Sequence, residues 1–483
     1  MKKARILLLV FILAHQFTLA QDSLNYVIRF PNARHHEAEI ILQLRNVREP
    51  SLILRMSQSS PGRYAMHQFA KNIYDISPTG NQKATIKRIA PEAWEVSDIK
   101  GSVDIRYTLF ANRADGTYSG IDRDFAVLNM PSTLLWPENK LHLPVLVQFD
   151  LPDSINWRIA TPLSVADSAK KQFTAPNLSY LMDSPCLLGN LKLREFYVAE
   201  DSVPRIRMAL HTVANDAEID ILVEMAKKAL AEQKEVFGEF PAFEDSTYTF
   251  LCGYGPGYYD DGMEHRNATM ITSNIPLGGN QEWLIGTLSH EFFHVWNMER
   301  LRPASLEPFD FTRANISGEL WFGEGFTSYY GDLALCRSGV LDTDKYLYTI
   351  GSTINYISNA PGWRYGSPVH MSEMATFTDQ SSFVDETNFA NTFISYYTYG
   401  EMIALALDLT LRSSFQDVSL DDYMKALWIK YGKNEKSYTN LDLMHTLGEV
   451  CGDKQFAHQF SKSTSLAIPC PTLPDFSKSL DTG

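Results

Sequence analysis

The chain has 483 residues, 45% of them hydrophobic and 12% aromatic, with 43 Lys and Arg against 57 Asp and Glu for a formal net charge of −14. That much apolar material supports two domains with substantial cores and excludes disordered and fibrous classes. The acidic balance argues against nucleic acid as a partner.

The first twenty residues, MKKARILLLVFILAHQFTLA, carry Lys2, Lys3 and Arg5, an apolar run from Ile6 to Ala14, then Thr18-Leu19-Ala20. This is the layout of a secretory signal cleaved after Ala20, and its apolar run is too short to span a bilayer. No cysteine follows the run to take a lipid, and no later stretch has the length of a membrane helix. The expected mature protein is exported, periplasmic or extracellular, with no stable membrane insertion.

From Leu24 to about Tyr197 the pattern is that of strands. YVIRF, AEIILQLRNV, SLILRMS, SVDIRYTLFA and VLVQFDL alternate or are rich in β-branched residues, and turn clusters such as SPTGNQ and RADGTYSG separate them. This predicts an all-β, sandwich-like domain of two packed antiparallel sheets. The period then changes. Residues 214–236 read as a capped helix, TYTFLCGYG (247–255) as a strand, and a Gly-, Tyr- and Asp-rich loop leads into DGMEHRNATMI. Helices follow at about 281–299, around Glu324, and at 395–414, 420–432 and 440–452. The expected class is α+β: a signal peptide over 1–20, a β domain over 21–200, a second domain over 201–470 with a helical C-terminal part, and a tail over 471–483.

Within the helix at 281–299, the stretch TLSHEFFHVWN places His290 and His294 four apart, one above the other, with Glu291 about 100° round. Leu284, Ile285, Leu288, Phe292, Phe293, Val295 and Trp296 make that helix apolar on nearly every side, so it belongs in a core. Two imidazoles so placed reach one ion, but they also suit a metal-free buried helix, and zinc needs a third protein ligand. GELWFGEGFTSYYGDLAL (318–335) offers Glu319, Glu324 and Asp332. Glu324 is the best placed, between Gly323 and Gly325 and among Trp321, Phe322 and Phe326, where an unpaired carboxylate would be costly. An ordinary salt bridge is the competing explanation.

The cysteines, Cys186, Cys252, Cys336, Cys451 and Cys470, lack zinc-ribbon or redox spacing. A Cys451–Cys470 disulfide is compatible with export, and the odd count leaves one thiol unpaired within the monomer.

FPNARHHEAEI, SSPGRYAMHQFAKNIYDI, MDSPCLLGN, GMEHRNAT, HEFFHVWNMERLRP, LWFGEGFTSYYGDL and SYYTYGEM occur in the order seen in the glycyl aminopeptidase family, metallopeptidase family sixty-one of the gluzincins. The resemblance runs from about residue 24 to about 470. It implies a thermolysin-like second domain that binds one zinc ion per chain through His290, His294 and Glu324, with Glu291 as general base. Gly262, Met263 and Glu264 resemble the clan's substrate-binding element, in which Glu264 would hold the free amino terminus of a peptide; His265 stands where the clan has Asn. Tyr397 aligns with the oxyanion-binding tyrosine, although Tyr396 and Tyr399 flank it. The resemblance further implies aminopeptidase activity toward small first residues such as Gly and Ala. An endopeptidase with the same zinc core and a metal-free peptide-binding protein are the alternatives. The connection from 295 to 323 is longer than in other gluzincins, and Pro303 and Pro308 keep it from being one helix. Relatives commonly carry a PDZ domain, for which the thirteen residues after Cys470 leave no room. The oligomeric state is open.

Overall fold

A computed structural model describes residues 23–80, 83–151, 156–198, 203–379 and 386–465. The proposed signal peptide, Cys470 and the C-terminal tail lie outside these residues, as does any Cys451–Cys470 pairing. Cys186, Cys252 and Cys336 are free thiols.

The N-terminal half is β-rich. Its largest sheet has seven strands in the order Ser164–Asp167, Gln172–Ala175, Val145–Asp150, Leu24–Asn32, Glu37–Val47, Gly101–Phe110, Ile73–Thr79. Alternation produces this sheet: in Leu24–Asn32 and Glu37–Val47 every second residue is buried, and Tyr26, Ile28, Ile40 and Leu42 enter one core. Two four-stranded sheets complete the region, so it holds three sheets rather than two. One pair, Leu24–Asn32 with Val145–Asp150, is parallel. Strand periodicity reports which face is buried, not which partner a strand takes, and therefore leaves sheet number open.

The second half is built on a five-stranded sheet of β1 (Lys192–Phe196), β2 (Arg205–His211), β3 (Thr247–Tyr254), β4 (Asp261–His265) and β5 (Ala268–Ser273). The order is β1-β2-β3-β5-β4, with β2, β3 and β5 parallel and β4 antiparallel at one edge. Its first strand lies before residue 200, within the range expected for the β domain. Helix α1 (Asp216–Phe237) starts with a reciprocal cap, in which the Asn215 side chain accepts from the Glu218 N–H and Glu218 from the Asn215 N–H. It stops at Gly238, which is in the left-handed region at φ 84°. α2 (Gln281–Phe293) packs against α1, α3 (Gly325–Arg337) and β4. The Gln233 side chain of α1 donates to the Ser289 carbonyl and hydroxyl of α2, and the Ser289 hydroxyl donates to the Gly331 carbonyl of α3. α4 (Thr343–Asn359) and α5 (Tyr396–Ser414) cover α3, and three further helices, Leu420–Lys430, Asn440–Val450 and Lys454–Ser465, close the C-terminal side. Among the described residues no helix is long and apolar enough to cross a membrane.

The two halves are stitched together by the connection between α2 and α3. Phe311 is buried in the core of the β domain. The Gln58 N–H donates to the Phe311 carbonyl at 2.8 Å, and the Ser59 hydroxyl to the Asp310 carbonyl at 3.0 Å. The extra length of this connection is a hook into the β domain.

Candidate functional site

α2 is shorter than the expected 281–299. After Phe292 its bonds tighten to the i−3 pattern, with Val295 N–H on the Phe292 carbonyl and Trp296 N–H on the Phe293 carbonyl. Asn297 then turns its side chain onto the Phe322 and Gly323 carbonyls at 3.2 and 3.1 Å, and Met298 takes a positive φ of 117°, which a helix does not allow. His294 caps α2 at its C-terminus, is still in right-handed helical conformation, and keeps its i,i+4 relation to His290.

The three residues meet. His290 Nε2 and His294 Nε2 are 3.1 Å apart, and Glu324 Oε2 lies 3.2 Å from His294 Nε2 and 3.6 Å from His290 Nε2. Ligands about 2.0–2.1 Å from a tetrahedral zinc stand about 3.3 Å from one another, so this triangle has the size of one face of such a shell. Glu324 occupies the joint between the short helix Leu320–Gly323 and α3, and is 1% exposed. Its Oε2 has no hydrogen-bond donor. Asn297 O lies 2.8 Å from His294 Nδ1, so Nδ1–H donates there and Nε2 carries the lone pair that a metal requires. His290 is partly open, its side chain 18% exposed, and forms the accessible side.

Two more carboxylates face the same point. Glu264, Glu291 and His294 also bring ligand-type atoms within 4.8 Å of one another, all buried. Glu291 turns toward β4, where a Cβ on Gly262 would strike its carboxylate. Burial pushes both Glu264 and Glu291 above the ordinary carboxylate range. Burial also works to lower His294, yet Glu324 and Glu264 outweigh it and hold that imidazole above its usual pKa. Burial works to raise Glu324, and His294 and His290 overcome it. Three buried acids face two imidazoles here, an excess of negative charge that a divalent cation would offset. The residues fit the metal.

Of the other sequence-predicted residues, Tyr397 starts α5 with its ring 6.0 Å from that of His290. Tyr396 is buried edge-on to Tyr64, and Tyr399 lies in the core, so of the three neighbouring tyrosines it is Tyr397 whose ring lies beside the imidazole. Glu264 does not pair with Arg266, which is engaged by Glu244 and Glu435. Met263 is fully buried in a cluster between the β domain and the five-stranded sheet, with Phe125, Leu187 and Tyr258. Its side chain serves the seam. His265 Nδ1 is 2.8 Å from Asp183, a contact on the β-domain side. Glu319 accepts from Ser305, Ser317 and Asn440 and stays out of the site.

Sequence reasoning missed the side chains that the β domain brings to the site. Arg63 donates to Thr117, to Asp261 and, at 3.0 Å, to the Gly262 carbonyl on the edge strand. The Tyr64 hydroxyl donates to Glu324 Oε1, 260 residues away, and its N–H donates to Asp379 at 2.9 Å. The signal was SSPGRY itself, a Pro-Gly turn with an Arg and a Tyr too costly to bury without partners.

The sequence matches the peptidase M61 N-terminal domain over residues 25–190 and the M61 glycyl aminopeptidase domain over 283–403. The chain belongs to the M61 glycyl aminopeptidase family. This M61 chain is therefore a peptidase. No curated protein matches it. Among solved structures, an aminopeptidase N family protein from Idiomarina loihiensis is similar with a TM-score of 0.83 at 24% identity, covering 94% of this chain and 78% of that one. An M1 zinc metallopeptidase mutant from Deinococcus radiodurans, bound to a Tyr-Ser-Ala substrate, gives a TM-score of 0.54 at 14% identity over 93% of this chain and 94% of that one. Native yeast LTA4 hydrolase gives 0.52 at 13% identity over 95% and 70%. At these identities the likeness is one of fold: a β-rich N-terminal domain followed by a thermolysin-like peptidase domain.

Proposed function

We propose that this M61 chain is an exported zinc aminopeptidase that removes small first residues, Gly and Ala, from peptides with a free amino terminus. The observation that carries the reading is the triangle of His290, His294 and Glu324 atoms with edges of 3.1, 3.2 and 3.6 Å. Zinc held there supplies Lewis acidity toward a water and a scissile carbonyl.

The chain's own groups do the rest. The Glu291 carboxylate, buried and with Oε2 unpartnered, takes the proton from the attacking water and returns it to the leaving amine. The Tyr397 hydroxyl donates to the carbonyl oxygen as that atom gathers charge. Glu264, on the edge strand, receives the α-ammonium of the substrate in a charge-assisted hydrogen bond. A buried carboxylate in that place selects chain ends, because the interior of a peptide offers it no cation. The Gly262 carbonyl on the same edge is already taken by Arg63, which leaves less of the strand for a chain running through. The preference for small first residues rests on the family's description as glycyl aminopeptidases. Export rests on the first twenty residues.

Hydrolysis of amino-acid amides and short peptides, with and without a chelator, tests this. Glycyl and alanyl substrates should be cut only when metal is present, and acetylating the amino terminus should abolish cleavage. Undiminished cutting of acetylated peptides would make the enzyme an endopeptidase; no cleavage of any peptide, with no metal bound, would make it a binding protein.

A further inference from the structure

The β domain reaches the metal site through one turn. Gly62 has φ +77°, and a Cβ there would strike Met263 and Glu264, so the turn lies directly on the edge strand. Arg63 is fastened beside it to Asp261, Thr117 and Gly262. Tyr64 then leaves its own domain: its ring is packed in the core of the peptidase domain, edge-on to Tyr396 at 6.1 Å, and is 2% exposed. Its N–H is held by Asp379. Behind it, residues 58 and 59 are gripped by the hook from the α2–α3 connection, through the bonds of Gln58 and Ser59 to Phe311, Thr312 and Asp310. The hydroxyl at the end of this strut donates to Glu324 Oε1, while Oε2 faces the two imidazoles.

We propose that Tyr64 is a positioning residue supplied by the β domain, which ties down one oxygen of Glu324 so that the carboxylate presents a single oxygen to the metal. The assignment rests on the zinc reading of His290, His294 and Glu324. A carboxylate free to rotate offers a metal either one oxygen or two, and an anchored one is set in advance, so losing the anchor weakens metal binding. Outer partners of metal ligands are worth about 10–100-fold in affinity. On this account the β domain is part of the metal site, and the long α2–α3 connection braces it.

The test uses the full chain stripped of metal, with zinc affinity read by competition against a chromogenic chelator. Tyr64→Phe keeps the ring and removes only the hydroxyl. It should bind zinc at least tenfold more weakly, with the metal-free protein still folded. In a Glu324→Gln background the same substitution should cost nothing further, because its route to the metal runs through that carboxylate. An affinity within twofold of wild type, or a loss of equal size in the Glu324→Gln background, would overturn the assignment while leaving the zinc site standing. Wild-type protein that takes up no zinc would overturn the zinc reading and this inference with it. X-ray absorption of the zinc-loaded wild type needs no variant: one carboxylate oxygen in the coordination shell is expected, and two would contradict the proposal.

Discussion

Gly325 and Gly400 face each other where α3 crosses α5, and neither has room for a Cβ. On Gly325 that atom would overlap the Gly400 backbone, and on Gly400 it would overlap the Trp321 carbonyl and Gly325. The crossing places Tyr397, one turn before Gly400, over the helix joint that carries Glu324. Gly400→Ala must push the two helices apart, and overpacking of this kind costs about 1–3 kcal/mol. A lower melting temperature together with a reduced kcat is expected; a variant that melts lower yet keeps full kcat would show that Tyr397 does not depend on the crossing.

Glu291→Gln preserves size and hydrogen bonding and removes the base. Zinc content should stay at the wild-type level while kcat falls by about two to four orders of magnitude. Stopped assays with a glycyl amide, paired with metal analysis of the same sample, read both quantities. Retained turnover would move the base elsewhere.

Tyr397→Phe should lower kcat about 100- to 1,000-fold with little change in KM, the pattern expected when a donor acts on the developing oxyanion. Tyr396→Phe is the control, since that ring is buried against Tyr64. A larger kcat loss at 396 than at 397 would reverse the two roles.

Glu401 gives a pH-dependent prediction away from the metal. Burial, then Asp332, pushes its carboxyl up to about 7, and Thr353 donates to it at 3.4 Å. The folded state therefore holds this proton more tightly than the unfolded chain. The associated stability is complete below the ordinary glutamate value and is lost as pH rises toward about 7, by up to about 3 kcal/mol. Glu401→Gln should leave the melting temperature unaffected at pH 4.5 and raise it at pH 8. Equal shifts at both pH values would show that Glu401 does not titrate in this window.

How much of this was legible in the sequence differs from element to element. α1 and α5 could be read to within two residues at their ends, α1 because its caps announce it and α5 because of its run of apolar residues. α4 was invisible: its Thr343, Tyr346, Thr349, Thr353, Ile354 and Gly351 favour strand or turn, and it stands as a helix because Asp342 caps it and Ile350 and Ile357 find a core. In the site, helical spacing placed His290 and His294 together and the cost of a carboxylate among aromatic residues favoured Glu324, while the ligand set and the role of Glu291 came from the resemblance to the family. A Cβ on Gly323 would meet Met298, and Gly325 makes the crossing with α5, so they serve packing rather than approach to the metal. Tyr64 was out of reach because its partner lies in another domain, and no local pattern encodes a contact of that separation.

The most direct test is a crystal of the purified protein measured at the zinc absorption edge. The account predicts one anomalous peak per chain, lying between His290, His294 and Glu324, and its disappearance in His294→Ala. A peak elsewhere, or stoichiometric zinc retained in His294→Ala, would contradict it.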